Sequence, residues 1–230
     1  LVGSEMCIRD SYFYKEEFMT DTGIFYGTGA AEGVPSPFCD CPMCNYAREH
    51  GGKDVRKRSC FRLGRNIMID MGPDIFTQAL QYGSMCDIEH VLITHTHDDH
   101  FNFTALGLMS MATHLRTTPV HFYFSEEGYR FIELLRDSEI AFGGTLRGME
   151  KKGIYAFHKL KYFETYSIGE YEVTPIRGNH GGNMAKERSA NYVLKAKDGT
   201  KMLYGMDTGL YEDCLLYTSP SPRDRSVSRM

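Results

Sequence analysis

The chain has 230 residues, of which 42% are hydrophobic, and a net charge of −4. That length supports a sizeable core in one domain or two small ones, and the acidic balance gives no electrostatic basis for a nucleic-acid partner. No stretch approaches the roughly 20 apolar residues that span a bilayer, and no cleavable leader opens the chain, so a cytoplasmic protein working away from membranes is expected.

Phe18 to Tyr26, with Gly27-Thr28-Gly29 behind it, reads as a first strand entering a glycine-rich loop. Cys39-Asp40-Cys41-Pro42-Met43-Cys44 follows, three thiols on one short loop. Neighbours this close disfavour disulfides, and three soft donors suit a structural zinc whose fourth ligand His50 could supply locally. The basic run Arg56-Lys57-Arg58 reads as a solvated loop.

Cys60 to Leu63 and Ile67 to Asp70 form a hairpin about Gly64-Arg65-Asn66. Asp74 to Tyr82 carries Ile75, Phe76, Ala79 and Leu80 at helical spacing, with Gly83 as the stop. His90 to Thr94 is a strand, Phe103 to Leu115 a largely apolar helix, Val120 to Phe124 a strand and Tyr129 to Asp137 an amphipathic helix. Strand patterns then return at Tyr155 to His158, Phe163 to Ile168, Tyr171 to Ile176, Asn191 to Lys197 and Lys201 to Gly205. Strands and helices alternate between strand-rich ends, which fits two packed sheets flanked by helices.

Thr94-His95-Thr96-His97-Asp98-Asp99-His100 places three imidazoles and two carboxylates directly after the apolar strand at His90. Such groups are costly to bury unpaired, and metal ions are the simplest compensation. A loop leaving a strand can turn His95 and His97, then Asp99 and His100, inward as two pairs of donors. Asp98 is read as capping the loop. His180 in a glycine-rich turn and Asp207 in Asp-Thr-Gly, each after a strand, are suitable further ligands. His90, His114, His121 and His158 fit no motif and are read as structural or exposed.

His-x-His-x-Asp-His, an earlier strand-end aspartate, a later lone histidine and a later Asp-Thr-Gly, in this order, resemble the metallo-β-lactamase superfamily of metallohydrolases across Gly27 to Gly209. The resemblance implies an α/β, four-layer αββα sandwich. It implies His95, His97 and His180 as ligands of one metal, Asp99 and His100 as ligands of a second, and Asp207 bridging both. Asp70 corresponds to an aspartate that orients a ligand histidine from behind, fixing its tautomer. The family's last histidine, downstream of the Asp-Thr-Gly strand, has no match. The Cys39, Cys41, Cys44 loop after Gly27-Thr28-Gly29 is similar to the phosphoribosyl cyclic phosphate phosphodiesterases, whose fourth structural-zinc ligand is a C-terminal histidine. An accessory protein of pyrroloquinoline-quinone biosynthesis shares that loop but departs at the catalytic cluster.

Residues 1–11 and 214–230 resemble translated sequencing-adapter DNA, so residues 12–213 are taken as a C-terminally incomplete metallo-β-lactamase-like domain. The expected activity is hydrolysis of a small, cyclic phosphate ester with two zinc or manganese ions, with a third zinc held by the cysteines. Thioester or lactone hydrolysis and a non-catalytic metal-binding role are the alternatives. Weak or absent turnover is expected of the chain as it stands, and a homodimer is left open.

Overall fold

The computed structural model describes residues 23–112, 117–139 and 144–209. Among the described residues, ten strands form two sheets: β1 (Gly23–Gly27), β2 (Cys60–Leu63), β3 (Ile67–Ile69), β4 (His90–Leu92), β5 (Val120–Ser125) and β6 (Tyr155–Leu160) in the first, β7 (Tyr166–Ile168), β8 (Tyr171–Arg177), β9 (Ala190–Lys195) and β10 (Lys201–Tyr204) in the second. Helices α1 (Pro42–His50), α2 (Ile75–Tyr82), α3 (Phe103–Met111), α4 (Glu126–Leu135) and α5 (Leu146–Lys151) lie between the strands of the first sheet.

The first sheet runs in sequence order. Its β1-β2-β3 edge is antiparallel, and β3, β4, β5 and β6 are parallel. Parallel neighbours require long crossovers, and α2, α3 and then α4 with α5 supply them. The second sheet is an antiparallel meander ordered β10-β9-β8-β7.

Period-two alternation sorts the first sheet's side chains into two cores. Cys60, Met68, Val91 and Phe122 face the helices, meeting Ala105 and Leu106 of α3, Ile132 of α4, and Leu146 and Met149 of α5, with Ile75 of α2 alongside. Phe61, Leu63, Ile67, Ile69 and Leu92 face the second sheet and meet Ile168, Val173, Tyr192 and Leu194. Each fully buried aliphatic or aromatic side chain contributes roughly 1.5–3 kcal/mol, so both cores are needed to close the sandwich. The described residues thus form helix, sheet and sheet layers. The helical layer expected beyond the second sheet has no counterpart among them.

Helix starts follow side-chain caps: Asn102, Ser125 and Thr145 accept from the backbone N–H groups of Thr104, Gly128 and Gly148. At Asp74, before α2, the carboxylate is taken instead by Arg58, through its backbone N–H at 2.7 Å and its guanidinium at 2.8 Å. The basic run is therefore anchored to the fold at its third residue, contrary to the solvated loop expected. The cysteine loop also differs from expectation. Pro42 opens α1, so Cys44 lies inside a helix with Cys41 at its N-cap. The expected first strand begins at Gly23, its earlier part falling outside the described residues, as do His114, residues 1–11 and residues 214–230.

Candidate metal centre

Apart from the cysteines, every residue expected at the metal centre lies where a strand ends. Asp70 follows β3, the His95–His100 loop follows β4, His180 follows β8 and Asp207 follows β10. Ligand sites in open α/β sheets form outside the carboxyl ends of the strands, and here both sheets direct such ends to one place. Two hydrogen bonds join the sheets at the base of the loop: Ala190 N–H donates to the Thr94 carbonyl at 2.7 Å, and the Tyr192 hydroxyl to the Ile93 carbonyl at 2.6 Å.

Two overlapping donor sets result. His95, His97 and His180 form one, and His95, His100 and Asp207 the other, with the donor atoms of each set within 4.8 Å of one another. Around His97 Nδ1, His95 Nε2 stands at 3.0 Å and His180 Nε2 at 3.3 Å. His100 Nε2 faces Asp99 Oδ2 at 3.2 Å and Asp207 Oδ2 at 3.3 Å, while Asp207 Oδ2 is 3.9 Å from His180 Nε2. Asp207 therefore stands between the sets. Asp99 lies beside the second set without belonging to it. Asp98 is exposed, and the loop is closed by the backbone, with His100 and Phe101 N–H donating to the His97 carbonyl at 3.0 and 2.8 Å.

Asp70 is fully buried and takes three donors from behind. The Thr94 N–H reaches Oδ1 at 2.8 Å, the Thr94 hydroxyl reaches both oxygens at 2.9 Å, and His100 Nδ1 reaches Oδ2 at 2.7 Å. His95 Nδ1 lies 3.1 Å from the same hydroxyl. A hydroxyl that donates to Asp70 accepts from His95, so His95 carries its proton on Nδ1 and turns a bare Nε2 toward His97 and His180. Asp70 and Asp207 both adopt positive φ, 63° and 39°, a conformation costing roughly 1–3 kcal/mol each and concentrated at functional sites. Gly72 lets the chain after Asp70 pass close against the ligand loop, since a Cβ there would lie 2.1 Å from the Asp99 carbonyl oxygen.

Burial, then repulsion from His100, His97 and His180, pulls the His95 pKa down to about 3. Burial opposes charging His100 as well, but Asp70, Asp207 and Asp99 outweigh it and push its pKa up to about 12. The His100 hydrogen bond holds Asp207 down to about 2. Imidazole lone pairs converging from three directions, next to carboxylates that hold a positive charge in place, make a donor set suited to divalent cations. The residues present fit that group. His180 and Asp207 keep about a third of their side-chain surface exposed, 38% and 32%, so a substrate can reach them.

Cys39, Cys41 and Cys44 form a third set with donor atoms within 4.8 Å. His50 stands outside it, stacked on Tyr46 with Nδ1 3.0 Å from the Tyr46 carbonyl oxygen, so the local fourth ligand considered above is not brought to the cysteines. His90, His121 and His158 are half-buried across β4, β5 and β6, away from the donor sets.

Sequence reasoning missed Thr94, Thr96, Asn183 and Glu187. The alternation of Thr with His was the available signal for the first two. Nothing in Ala185-Lys186-Glu187-Arg188 distinguishes Glu187 from a surface glutamate, yet it is 2% exposed and bonded to Thr96.

Among curated proteins, the chain is 36% identical over 81 residues to an octanoyltransferase of Porphyromonas gingivalis, a match covering 34% of this chain and 16% of that protein. Among solved structures, it resembles a diphosphatase of the PhnP family (TM-score 0.55, 22% identity, 75% of this chain and 62% of that one). It also resembles the Zn(2+)-bound PqqB of Methylobacterium extorquens (TM-score 0.58, 17% identity, 79% and 63%). The chain thus spans about one sixth of the curated relative and under two thirds of either structure. The profile of the β-lactamase superfamily domain matches residues 65–218, well over half of the chain, and with the two-sheet sandwich already described this places the protein in the β-lactamase superfamily, with the metallo-β-lactamase fold.

Proposed function

We propose that this protein is a dinuclear metallohydrolase acting on a small phosphodiester, most simply a cyclic one. The observation carrying the proposal is the pair of donor sets that share His95 and meet at Asp207. His95, His97 and His180 would hold one ion, and His100, Asp207 and the adjacent Asp99 the other. Divalent ions bound there, zinc or manganese, supply an acidified water and polarise a phosphoryl oxygen. Thr94 holds His95 in the tautomer that leaves Nε2 free for a ligand role, and Asp70 keeps the Nδ1 proton of His100, so that a bound ion would displace only its Nε2 proton. Likeness of fold to the PhnP-family diphosphatase, and three clustered cysteines, support a phosphate ester and a separate structural zinc.

A thioester or other acyl substrate at the same donors is the second reading. An apolar cavity of about 250 Å³, lined by Met68, Met71, Ile75, Leu108 and Met109 among others, has as one wall the residue after Asp70. The partial match to a protein named for octanoyl transfer supports the same reading.

Hydrolysis of bis(p-nitrophenyl) phosphate and a cyclic ribose phosphate, against p-nitrophenyl octanoate and an octanoyl thioester, separates these readings in this chain and in a homologue. Metal-dependent phosphodiester turnover, weak in this chain and lost with chelator and in His97→Ala, is expected. Acyl turnover without phosphodiester turnover favours the second reading. A single cysteine-bound zinc and no turnover overturns both in favour of a non-catalytic role.

A further inference from the structure

Thr96 lies between His95 and His97 in the loop after β4, and its bonds run to a different segment. Each of its polar atoms is held by the segment following His180. Its N–H donates to Glu187 Oε1 at 2.9 Å and its hydroxyl to Glu187 Oε2 at 2.6 Å. The same hydroxyl accepts from the Asn183 N–H at 3.0 Å, and the Thr96 carbonyl accepts from the Asn183 side-chain amide. Glu187 Oε2 also accepts from the Met184 N–H at 3.1 Å.

These bonds cross about ninety residues of sequence and join two of the three histidines of the first donor set to the third. The space for Glu187 is made by glycine. A Cβ at Gly182 would lie 2.2 Å from the carboxylate, and one at Gly128, in the first turn of α4, 3.2 Å from Oε1. A buried carboxylate is tolerated because three N–H or O–H donors and the positive end of α4 compensate it. No hydrogen bond links Glu187 to His95, His97 or His180 themselves, so it acts on them through Thr96 and the loop.

We infer that Glu187 is a positioning residue: it locks the His180 loop in register with the His95–His97 loop and so sets the affinity and geometry of the first donor set for a divalent metal. The inference rests on the metal-binding reading of the site, though not on any substrate. All donors around the carboxylate point inward, so Glu187→Gln would turn an amide N–H₂ against at least one of them while conserving size. Thr96→Val removes the hydroxyl at similar volume, and Thr96→Ser retains it.

Zinc affinity by chelator competition and the visible spectrum of the cobalt-substituted protein provide the test, with the melting temperature of metal-free protein as a measure of folding. Glu187→Gln and Thr96→Val should each weaken the affected metal about tenfold to a hundredfold and alter the cobalt spectrum, the scale known for groups behind metal ligands. Thr96→Ser should stay near wild type, and the double variant should lose no more than the worse single variant. Unchanged affinity and spectrum in Glu187→Gln, or a loss confined to the metal-free melting temperature, overturns the inference. If Glu187→Gln does not fold, equal affinity in Thr96→Val and Thr96→Ser overturns it instead. Wild-type protein that binds no divalent metal overturns the functional reading as well, which separates the two failures.

Discussion

His100 Nδ1 stands 2.7 Å from Asp70 Oδ2, and the aspartate meets it from a backbone with φ of 63°. Asn tolerates that backbone conformation nearly as well as Asp, so Asp70→Asn tests the carboxylate without adding strain. Its single acceptor oxygen cannot serve Thr94 N–H, Thr94 hydroxyl and His100 Nδ1 together. Zinc affinity, read by chelator competition, should fall about tenfold to a hundredfold. Undiminished affinity would show that Asp70 does not orient His100.

The cysteine set predicts a metal independent of the histidines. The Cys44 backbone N–H holds the Cys41 thiol below its ordinary pKa, favouring the thiolate that zinc requires. Cys44→Ser should therefore lower zinc content by one ion per chain, measured by elemental analysis, while the histidine-held ions and their cobalt spectrum persist. Equal zinc content in wild type and variant counts against a cysteine-held ion.

A pH response is expected from β5 and β6. His121 Nδ1 lies 2.8 Å from His158 Nε2, a contact that needs one ring to donate and the other to accept. Burial, then the charge of His121, lowers the His158 pKa in the folded state. With the unfolded value near 6.5, falling pH protonates the unfolded chain first, so this group's share of stability is full above about pH 6.5 and is lost as pH drops below it. The melting temperature of metal-loaded protein should fall from about pH 7.5 to 5.5, and less steeply in His158→Gln. Parallel curves would refute the role of this pair.

Much of the architecture was legible because it is locally encoded. Gly64-Arg65-Asn66 marks a hairpin, and the apolar run to Ile93 ends in a cluster of histidines and aspartates that packing cannot explain. The cysteine segment was misread as loop throughout, although Pro42 is a signal for the first helical position. The split of donors into sets was only partly legible: Asp207 was expected between them, whereas the sharing of His95 and the place of Asp99 beside the second set follow from the meeting of two sheets. Glu187 was invisible because its burial depends on Gly182, Gly128 and Thr96, residues that only the tertiary fold assembles.

The division of donors between the sheets bears on how the protein matures. Residues up to His100 supply one side of each histidine set, and His180 and Asp207 complete them only after β8 and β10 have formed. A nascent chain therefore offers no closed histidine site until the sandwich has shut. Ions captured at that moment would bind the native state alone and deepen its free-energy well, so metallation at the proposed centre would act as a checkpoint on completed folding.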